Sequence, residues 1–308
     1  MTPNKKRWRN LALFFGSSLL VGTLIIIAFI VAMTVRLTGD ALRPARTAIE
    51  QTPPDVGLDD YQTVTFTTRD DLELHGWYIP PQNGAVIILL HGFGGNRQDL
   101  LPEAAVLANA GYGVLLFDLR AHGESDGSLV TFGQRERWDL AAAVDFVLMQ
   151  PGVDAERLGA VGFSMGGATL ALFAADDDRL RAVVIEAAFP VLEDVIRSEA
   201  DVFGPLTEWP AVWTVRRAGI DFDLVRPVDA LCAISPRPLL LLYGEADEVV
   251  SPAERNAMLA AACDPVERWV VPGAGHQNYT EVIPEVYTAR LLSFFDQALG
   301  FTDDGSSG

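Results

Sequence analysis

A serine between glycines at residues 162–167 (GFSMGG) constrains the fold of this chain more than any other feature. The segment follows an apolar run that predicts a strand, and it precedes an alanine- and leucine-rich run that predicts a helix. A serine in a tight strand-to-helix turn exposes its hydroxyl only if nearby positions carry no Cβ that would collide with both elements. Gly162 and Gly166 meet this requirement, so the segment predicts a sharp turn that exposes the Ser164 hydroxyl.

An exposed serine becomes a candidate nucleophile when a base and an orienting acid stand elsewhere in the chain. Of the four histidines, His276 is the candidate base, because it follows a predicted strand on a glycine-rich loop before the last predicted helix. Asp247, which ends another apolar strand, is the candidate acid, with Glu245 and Glu248 as lower-ranked alternatives. The carboxyl ends of parallel strands meet at one sheet edge, so we expect the three candidates to lie together.

Two further segments carry a resemblance to a known family. Residues 91–96 (HGFGGN) follow a predicted strand and resemble an H-G-x-G loop. Residues 117–125 (FDLRAHGES) resemble a D-x-R-G-H-G-x-S segment in which Ala121 replaces a glycine. Together with the order serine, acid, histidine, the segments across about residues 60–300 resemble the α/β-hydrolase superfamily, in its serine-aminopeptidase-like or monoglyceride-lipase-like branch.

The resemblance implies an α/β fold, a mostly parallel sheet with helices on both faces, and a small cap insertion. It implies that the backbone N–H groups of Phe93 and Met165 bind a developing oxyanion, and that the chain cleaves carboxylic ester or thioester bonds of a small molecule through an acyl-serine intermediate. An amidase or peptidase on the same three residues, and a noncatalytic surface binding module with this fold, remain as alternatives.

The other histidines and the cofactor motifs favour simpler interpretations. His91 and His122 each begin a His-Gly turn, where we expect structural hydrogen bonds, and His75 is expected on a strand surface. Asp118 ends a buried strand and is expected to accept backbone N–H groups from the following loop. The sequence has no cluster with metal-ligand spacing and no phosphate-binding loop, so it predicts neither a metal nor a cofactor.

An uncharged apolar run at residues 11–35 predicts a transmembrane helix, because 25 residues of helix span about 37 Å. A cleaved signal peptide is the alternative, but its apolar region is normally shorter. More basic residues precede the run than follow it closely, which favours a cytoplasmic N-terminus at residues 1–10 and an extracytoplasmic hydrolase domain at the cell membrane. These residues are Lys5, Lys6, Arg7 and Arg9 before the run, and Arg36, Arg43 and Arg46 after it.

The net charge of −18 excludes one class of partner. An acidic surface of this kind repels nucleic acid, and no basic patch with interleaved aromatic residues occurs, so we expect no nucleic-acid partner. Cys232 and Cys263 each lie shortly before a predicted strand. Two buried free thiols are the preferred interpretation, and a disulfide is the alternative if those strands are neighbours.

The remaining organisation follows from the alternation of predicted elements. Residues 36–60 are proline-containing and poor in apolar residues, which predicts a linker that acts as a spacer. Residues 61–301 begin with a hairpin and continue with alternating strands and helices, which predicts the mainly parallel sheet. The alternation breaks at about 189–229, the expected cap, and the tail 302–308 is predicted to be disordered. The cap supplies four aromatic residues that line a substrate pocket or pack in the core: Phe203, Trp209, Trp213 and Phe222.

Overall fold

The computed structural model describes residues 3–300, so the tail 302–308 lies outside the described part of the chain. Eight strands form one sheet, and they are β1 Gln62–Thr67, β2 Glu73–Ile79, β3 Val86–Leu90, β4 Gly113–Phe117, β5 Leu158–Phe163, β6 Ala182–Glu186, β7 Leu239–Gly244 and β8 Val266–Val271. Their order is β1-β2-β4-β3-β5-β6-β7-β8. β2 pairs antiparallel with β1 and with β4, and the other neighbours pair in parallel.

Ten α-helices lie within the described residues. They are α1 Pro3–Ala41, α2 Leu101–Asn109, α3 Glu136–Leu148, α4 Met165–Asp176, α5 Leu192–Ala200, α6 Pro205–Arg217, α7 Pro227–Ala230, α8 Pro252–Ala261, α9 Tyr279–Val282 and α10 Pro284–Ala298. Strands β3 to β7 are buried at every residue. Parallel strands covered by helices on both faces have this pattern, which is why their sequences are continuous apolar runs. The predicted α/β architecture with a mostly parallel sheet is thereby confirmed, with a helical insertion between β6 and β7.

The chain divides into two compact units. The first, which we call the anchor unit because it contains the predicted transmembrane segment, combines the N-terminal segment through Leu42 with residues 193–220. The second, which we call the hydrolase unit, combines residues 43–192 with the chain from Asp221 onward. The anchor unit therefore joins α1 to the part of the insertion that contains most of α5 and all of α6.

Helix α1 is long enough and apolar enough to cross a membrane. Its most apolar window has a mean hydropathy of 2.7, and none of that window is buried. The helix is unbroken over 39 residues, so it extends beyond the apolar run predicted from the sequence at both ends. The first residues of the predicted linker thus belong to the helix.

Cys232 and Cys263 form a disulfide, so the preference for free thiols was wrong. The two cysteines lie shortly before β7 and β8, which pair in parallel from Leu239 and Val266 onward. The sequence could not show that these strands are neighbours, and the disulfide depends on that pairing. The bond therefore ties together the starts of the two strands whose far ends lead to Asp247 and His276.

Candidate active site

Ser164 occupies the turn between β5 and α4. Its backbone has φ of 52° and ψ of −113°, a conformation that is strained for a residue with a side chain. The glycines around it permit the turn, because a Cβ on Gly162 would lie 2.5 Å from the backbone oxygen of Gly166. A Cβ on Gly166 would collide with the backbone oxygen of Leu90. The close approach of strand, turn and helix is therefore what requires glycine on either side of the serine.

Three side chains from the ends of three strands form one hydrogen-bonded chain. His276 Nε2 lies 3.1 Å from Ser164 Oγ, and His276 Nδ1 lies 2.9 Å from Asp247 Oδ2. The other oxygen of Asp247 accepts the backbone N–H groups of Val249 and Val250, at 2.8 and 2.9 Å. The sequence prediction that these three side chains lie together agrees with this geometry.

The environment of Asp247 favours its ionised form. Burial acts to raise its pKa, but the hydrogen bond from His276 and those from the amides of Val250 and Val249 outweigh burial, so the pKa lies below the ordinary value. The two alternative acids do not occupy this position. Glu245 is exposed and accepts the Gly273 amide at 3.3 Å, and Glu248 is exposed on the same loop.

The loop after β3 passes directly beside the serine. A Cβ on Gly92 would lie 3.4 Å from the Cβ of Ser164 and 2.9 Å from the ring of Phe163. Phe93 follows in this loop, and Met165 is the first residue of α4, where backbone N–H groups have no partner within the helix. Both predicted donors thus stand in segments that adjoin the serine.

Two buried histidines support the loops around the site. His91 Nε2 accepts the backbone N–H of Leu119 at 3.0 Å, so its proton sits on Nδ1, which lies 2.7 Å from the Gly92 carbonyl oxygen. Burial, and then the nearby His122, lower the pKa of His91 to about 3, and the ring is neutral. The structural role that the sequence predicts for His91 agrees with these contacts.

His122 holds the loop on its other side. Its Nε2 accepts the backbone N–H of Gly94 at 3.1 Å, while its Nδ1 lies 2.9 Å from the Arg120 carbonyl oxygen. Burial lowers the pKa of His122, so Nε2 is available as an acceptor. Asp118 accepts the backbone N–H groups of Arg97 and Glu124, both at 2.8 Å, as expected for a structural carboxylate.

A segment that the sequence assigned to the spacer is bound to the same loops, and we call residues 46–51 the strap. Thr47 Oγ1 donates to the carbonyl oxygen of Gly94 at 2.7 Å. Gln98 Oε1 accepts the backbone N–H groups of Glu50 and Gln51 at 2.7 and 2.9 Å. The Arg46 guanidinium donates to four backbone carbonyl groups, those of His122, Gly123, Ser125 and Gly127. No local pattern predicted these contacts.

The predicted pocket residues divide between the two units. Phe222 is buried in the hydrolase unit. Phe203, Trp209 and Trp213 are exposed and belong to the anchor unit.

Two pairs of aromatic rings involve residues of the segments that adjoin the serine. The rings of Phe93 and Phe132 stack with centroids 5.3 Å apart, and the rings of Phe163 and His276 meet edge to face at 5.0 Å. Within residues 3–300 no group of three or more His, Cys, Asp or Glu side chains is arranged to hold a metal ion.

Residues 85–211 match a protein family described as alpha/beta hydrolase fold. This range contains the serine turn and the loop after β3, whereas Asp247 and His276 lie beyond it. The esterase Pf2001 of Pyrococcus furiosus has a similar structure, with a TM-score of 0.71 and 28% identity over 84% of this chain and 100% of the esterase.

Two relatives are similar in sequence. The uncharacterized protein YfhR of Salmonella typhi is 26% identical over 256 residues, covering 77% of this chain and 82% of that protein. The thiohydrolase aneE of Aspergillus aculeatus is 36% identical over 166 residues, covering 52% of each chain.

Proposed function

Since this chain belongs to the α/β-hydrolase superfamily, we propose that it is a serine hydrolase that cleaves carboxylic ester or thioester bonds. The observation that supports this proposal best is the hydrogen-bonded chain from Asp247 through His276 to Ser164. The similarity to an esterase and to a thiohydrolase supports the choice of ester and thioester substrates.

In the proposed reaction, His276 Nε2 takes the proton of Ser164 as Oγ attacks the substrate carbonyl carbon. The C=O double bond becomes a C–O⁻ single bond, and the N–H groups of Phe93 and Met165 bind this oxyanion. The bond to the leaving alcohol or thiol then breaks, and the protonated His276 gives its proton to that group. An acyl-Ser164 ester remains.

Water completes the cycle. His276 takes a proton from a water molecule as the water oxygen attacks the carbonyl carbon of the acyl-serine. The bond between that carbon and Ser164 Oγ then breaks, and Oγ regains a proton from His276. The ionised Asp247 keeps the proton on Nδ1 and stabilises the imidazolium in both steps. The products are a carboxylic acid and the regenerated serine, and no step uses a cofactor.

We place the acyl chain of a small-molecule substrate beside the aromatic rings of the hydrolase unit. Phe222 is the member of the predicted pocket set that is buried there. The amide of its neighbour Asp221 donates to Gln134 at 2.7 Å, close in sequence to Phe132. The stacked pair of Phe93 and Phe132 offers apolar surface next to the proposed oxyanion donors.

We also propose that α1 is an uncleaved single-pass anchor in the cell membrane, with the N-terminus in the cytoplasm and the hydrolase unit outside it. The length and apolar character of α1 support the span. The excess of basic residues before the apolar run supports this orientation.

Labelling with a fluorophosphonate tests the proposed chemistry. We expect the full chain in membranes to become covalently labelled, Ser164→Ala to lose labelling completely, and Ser198→Ala, at an exposed position on α5, to label like the wild type. A panel of p-nitrophenyl esters, acyl thioesters and aminoacyl amides then separates the substrate classes. Faster cleavage of amides than of esters and thioesters would favour an amidase, and a folded wild type that never labels would favour a binding module.

A further inference from the structure

Helix α6 presents two different faces. Thr207, Ala211 and Val215 are buried, and their spacing of four residues places them on one side of the helix. Trp209 and Trp213 share another side, with 69% and 54% of their surfaces exposed. Adjacent large aromatic side chains on an exposed face indicate contact with something other than water.

The helix packs against α1 within the anchor unit. Residues 11–21 of α1 are exposed throughout, whereas the residues partly shielded from solvent concentrate towards its C-terminal end. Apart from Gly22 they recur at helical spacing, and they are Ile30, Val31, Thr34, Val35, Thr38 and Gly39. The contact with α6 therefore spans the end of the uncharged run, with shielded residues on both sides of Arg36.

That position corresponds to a defined layer of a membrane. In a bilayer that α1 spans, the end of the apolar run marks the boundary between hydrocarbon and headgroups. Tryptophan concentrates at this boundary, because its ring is apolar while its N–H needs a polar partner. A helix packed against this end of α1 is held at the depth where exposed tryptophan is favourable.

The charges at the end of α6 fit the same layer. Arg216 and Arg217 are the last two residues of the helix, and the Arg217 guanidinium lies 5.4 Å from the centroid of the Trp213 ring. Arginine at this depth can interact with lipid phosphate. The chain as a whole is strongly acidic and would repel phosphate, so such an interaction has to be local. Arg216 pairs with Glu193 at 3.2 Å, so Arg217 is the basic residue that shares one local surface with the tryptophan face.

We propose that α6 is a membrane-interface helix whose residues Trp209 and Trp213 contact the headgroup layer of the bilayer that α1 spans. The proposal rests on the membrane span proposed above and not on hydrolysis. Because α6 packs against α1, and α1 would be surrounded by lipid, lipid is the expected partner of the exposed face of α6. This role replaces the substrate-pocket role that the sequence predicted for the two tryptophans.

Tryptophan quenching in vesicles tests the proposal directly. The full chain is placed in vesicles of phosphatidylcholine and phosphatidylglycerol that carry a nitroxide either on the headgroup or near the end of an acyl chain. The emission of the two residues is the difference between the wild type and the double variant Trp209→Phe/Trp213→Phe. We expect the headgroup nitroxide to quench most of this emission and the chain-end nitroxide to quench much less.

A matched double variant, Trp138→Phe/Trp269→Phe, provides the control. Both residues are half-buried, and an arginine guanidinium lies over each ring, that of Arg69 at 3.9 Å from Trp138 and that of Arg290 at 4.8 Å from Trp269. Their difference emission should not respond to either nitroxide, and circular dichroism verifies that both double variants fold. If neither nitroxide quenches the emission of Trp209 and Trp213, the two residues face water or protein instead of lipid, and the proposal is overturned.

A further variant separates failure of the span from failure of this inference. Leu24 is exposed in the middle of the uncharged run, so Leu24→Trp reports whether α1 lies in hydrocarbon. Quenching of this added tryptophan by the chain-end nitroxide, without quenching of Trp209 and Trp213, would overturn the interface helix while the span stands. If the added tryptophan is not quenched, both the span and the interface helix fail.

Discussion

At the scale of single residues, the orientation of one imidazole ring decides whether the site can work. His276 can accept a proton on Nε2 only if its other proton stays on Nδ1. The carboxylate of Asp247, 2.9 Å from Nδ1, enforces this tautomer, and two backbone amides hold the carboxylate in place.

We expect Asp247→Asn to lower kcat by about 10⁴-fold, the size of the loss for the equivalent change in a serine protease. The amide NH₂ would donate to Nδ1, move the ring proton to Nε2 and remove the acceptor for the Ser164 proton. Hydrolysis of a p-nitrophenyl ester measures the effect. Glu245→Gln is the matched control and should retain nearly full activity, and a loss in that variant comparable to Asp247→Asn would reassign the acid.

A buried carboxyl group away from the proposed chemistry predicts how stability depends on pH. Burial, and then the proximity of Glu186, raise the pKa of Glu103 to about 8 from an ordinary value of 4.5. The folded state then holds a proton that the unfolded state releases, so this group's contribution to stability is full below pH 4.5 and is lost as pH rises through about 8. We expect the melting temperature of Glu103→Gln to fall less than that of the wild type between pH 5 and 8. Parallel pH profiles for the two proteins would contradict the raised pKa.

The sequence predicted the candidate site residues that stand directly after a recognisable strand. Ser164, Asp247 and His276 each follow a strand, and the sheet topology brings strand ends to one edge. Contacts between distant segments left no such signal, because Arg46 binds carbonyl groups 76 to 81 residues further along the chain. Nothing in the composition of the predicted linker distinguishes a bound segment from a free one.

At the scale of elements, the strap fixes the loop that carries a proposed oxyanion donor. Gly94 directly follows Phe93 and has a φ of 75°, which belongs to no helix or strand. The orientation of its peptide groups therefore depends on the contacts they make. Its N–H is held by His122 and its carbonyl oxygen by Thr47. The strap therefore holds the loop that carries this proposed donor.

We expect Thr47→Val to lower kcat roughly 3- to 10-fold with little change in KM, since one hydrogen bond to the loop is worth about 0.5–1.5 kcal/mol. Thr47→Ser keeps the hydroxyl and should restore most of the activity. Thr52→Val is the matched control, because Thr52 bonds to Asp55 and not to the loop. Equal loss in Thr47→Val and Thr52→Val would mean that this part of the chain affects folding in general and not the loop at Gly94.

The disulfide is a second device at this scale, and it lies at the starts of β7 and β8. The bond spans 31 residues of sequence, for which chain entropy gives a stabilisation of roughly 3–4 kcal/mol. We expect Cys232→Ser and Cys263→Ser each to lower the melting temperature while leaving activity at low temperature nearly unchanged, because neither residue touches the site. Reductant should lower the melting temperature of the wild type and leave that of the double variant unchanged; insensitivity of the wild type would contradict the bond.

At the scale of the whole molecule, the proposed orientation in the membrane has a direct test. We expect a reporter phosphatase fused after Asp60 to be active, because it functions only outside the cytoplasm, and a fluorescent protein that matures only in the cytoplasm to remain dark there. Replacing Lys5, Lys6, Arg7 and Arg9 by glutamine should weaken this orientation. Fusions that are active only in the cytoplasm would reverse it.

If α1 spans a membrane as proposed, its unbroken course makes the thickness of that membrane a variable for this protein. A flexible linker would absorb a change in tilt, whereas a continuous helix transmits tilt and rotation to whatever packs on its end. An apolar stretch longer than the local hydrocarbon thickness tilts to match it, and membranes differ from one another by a few Å. A thinner bilayer would therefore tilt α1 further and change the angle at which α6 meets the lipid surface, so that hydrophobic mismatch would act on an element of the enzyme and not on its anchor alone.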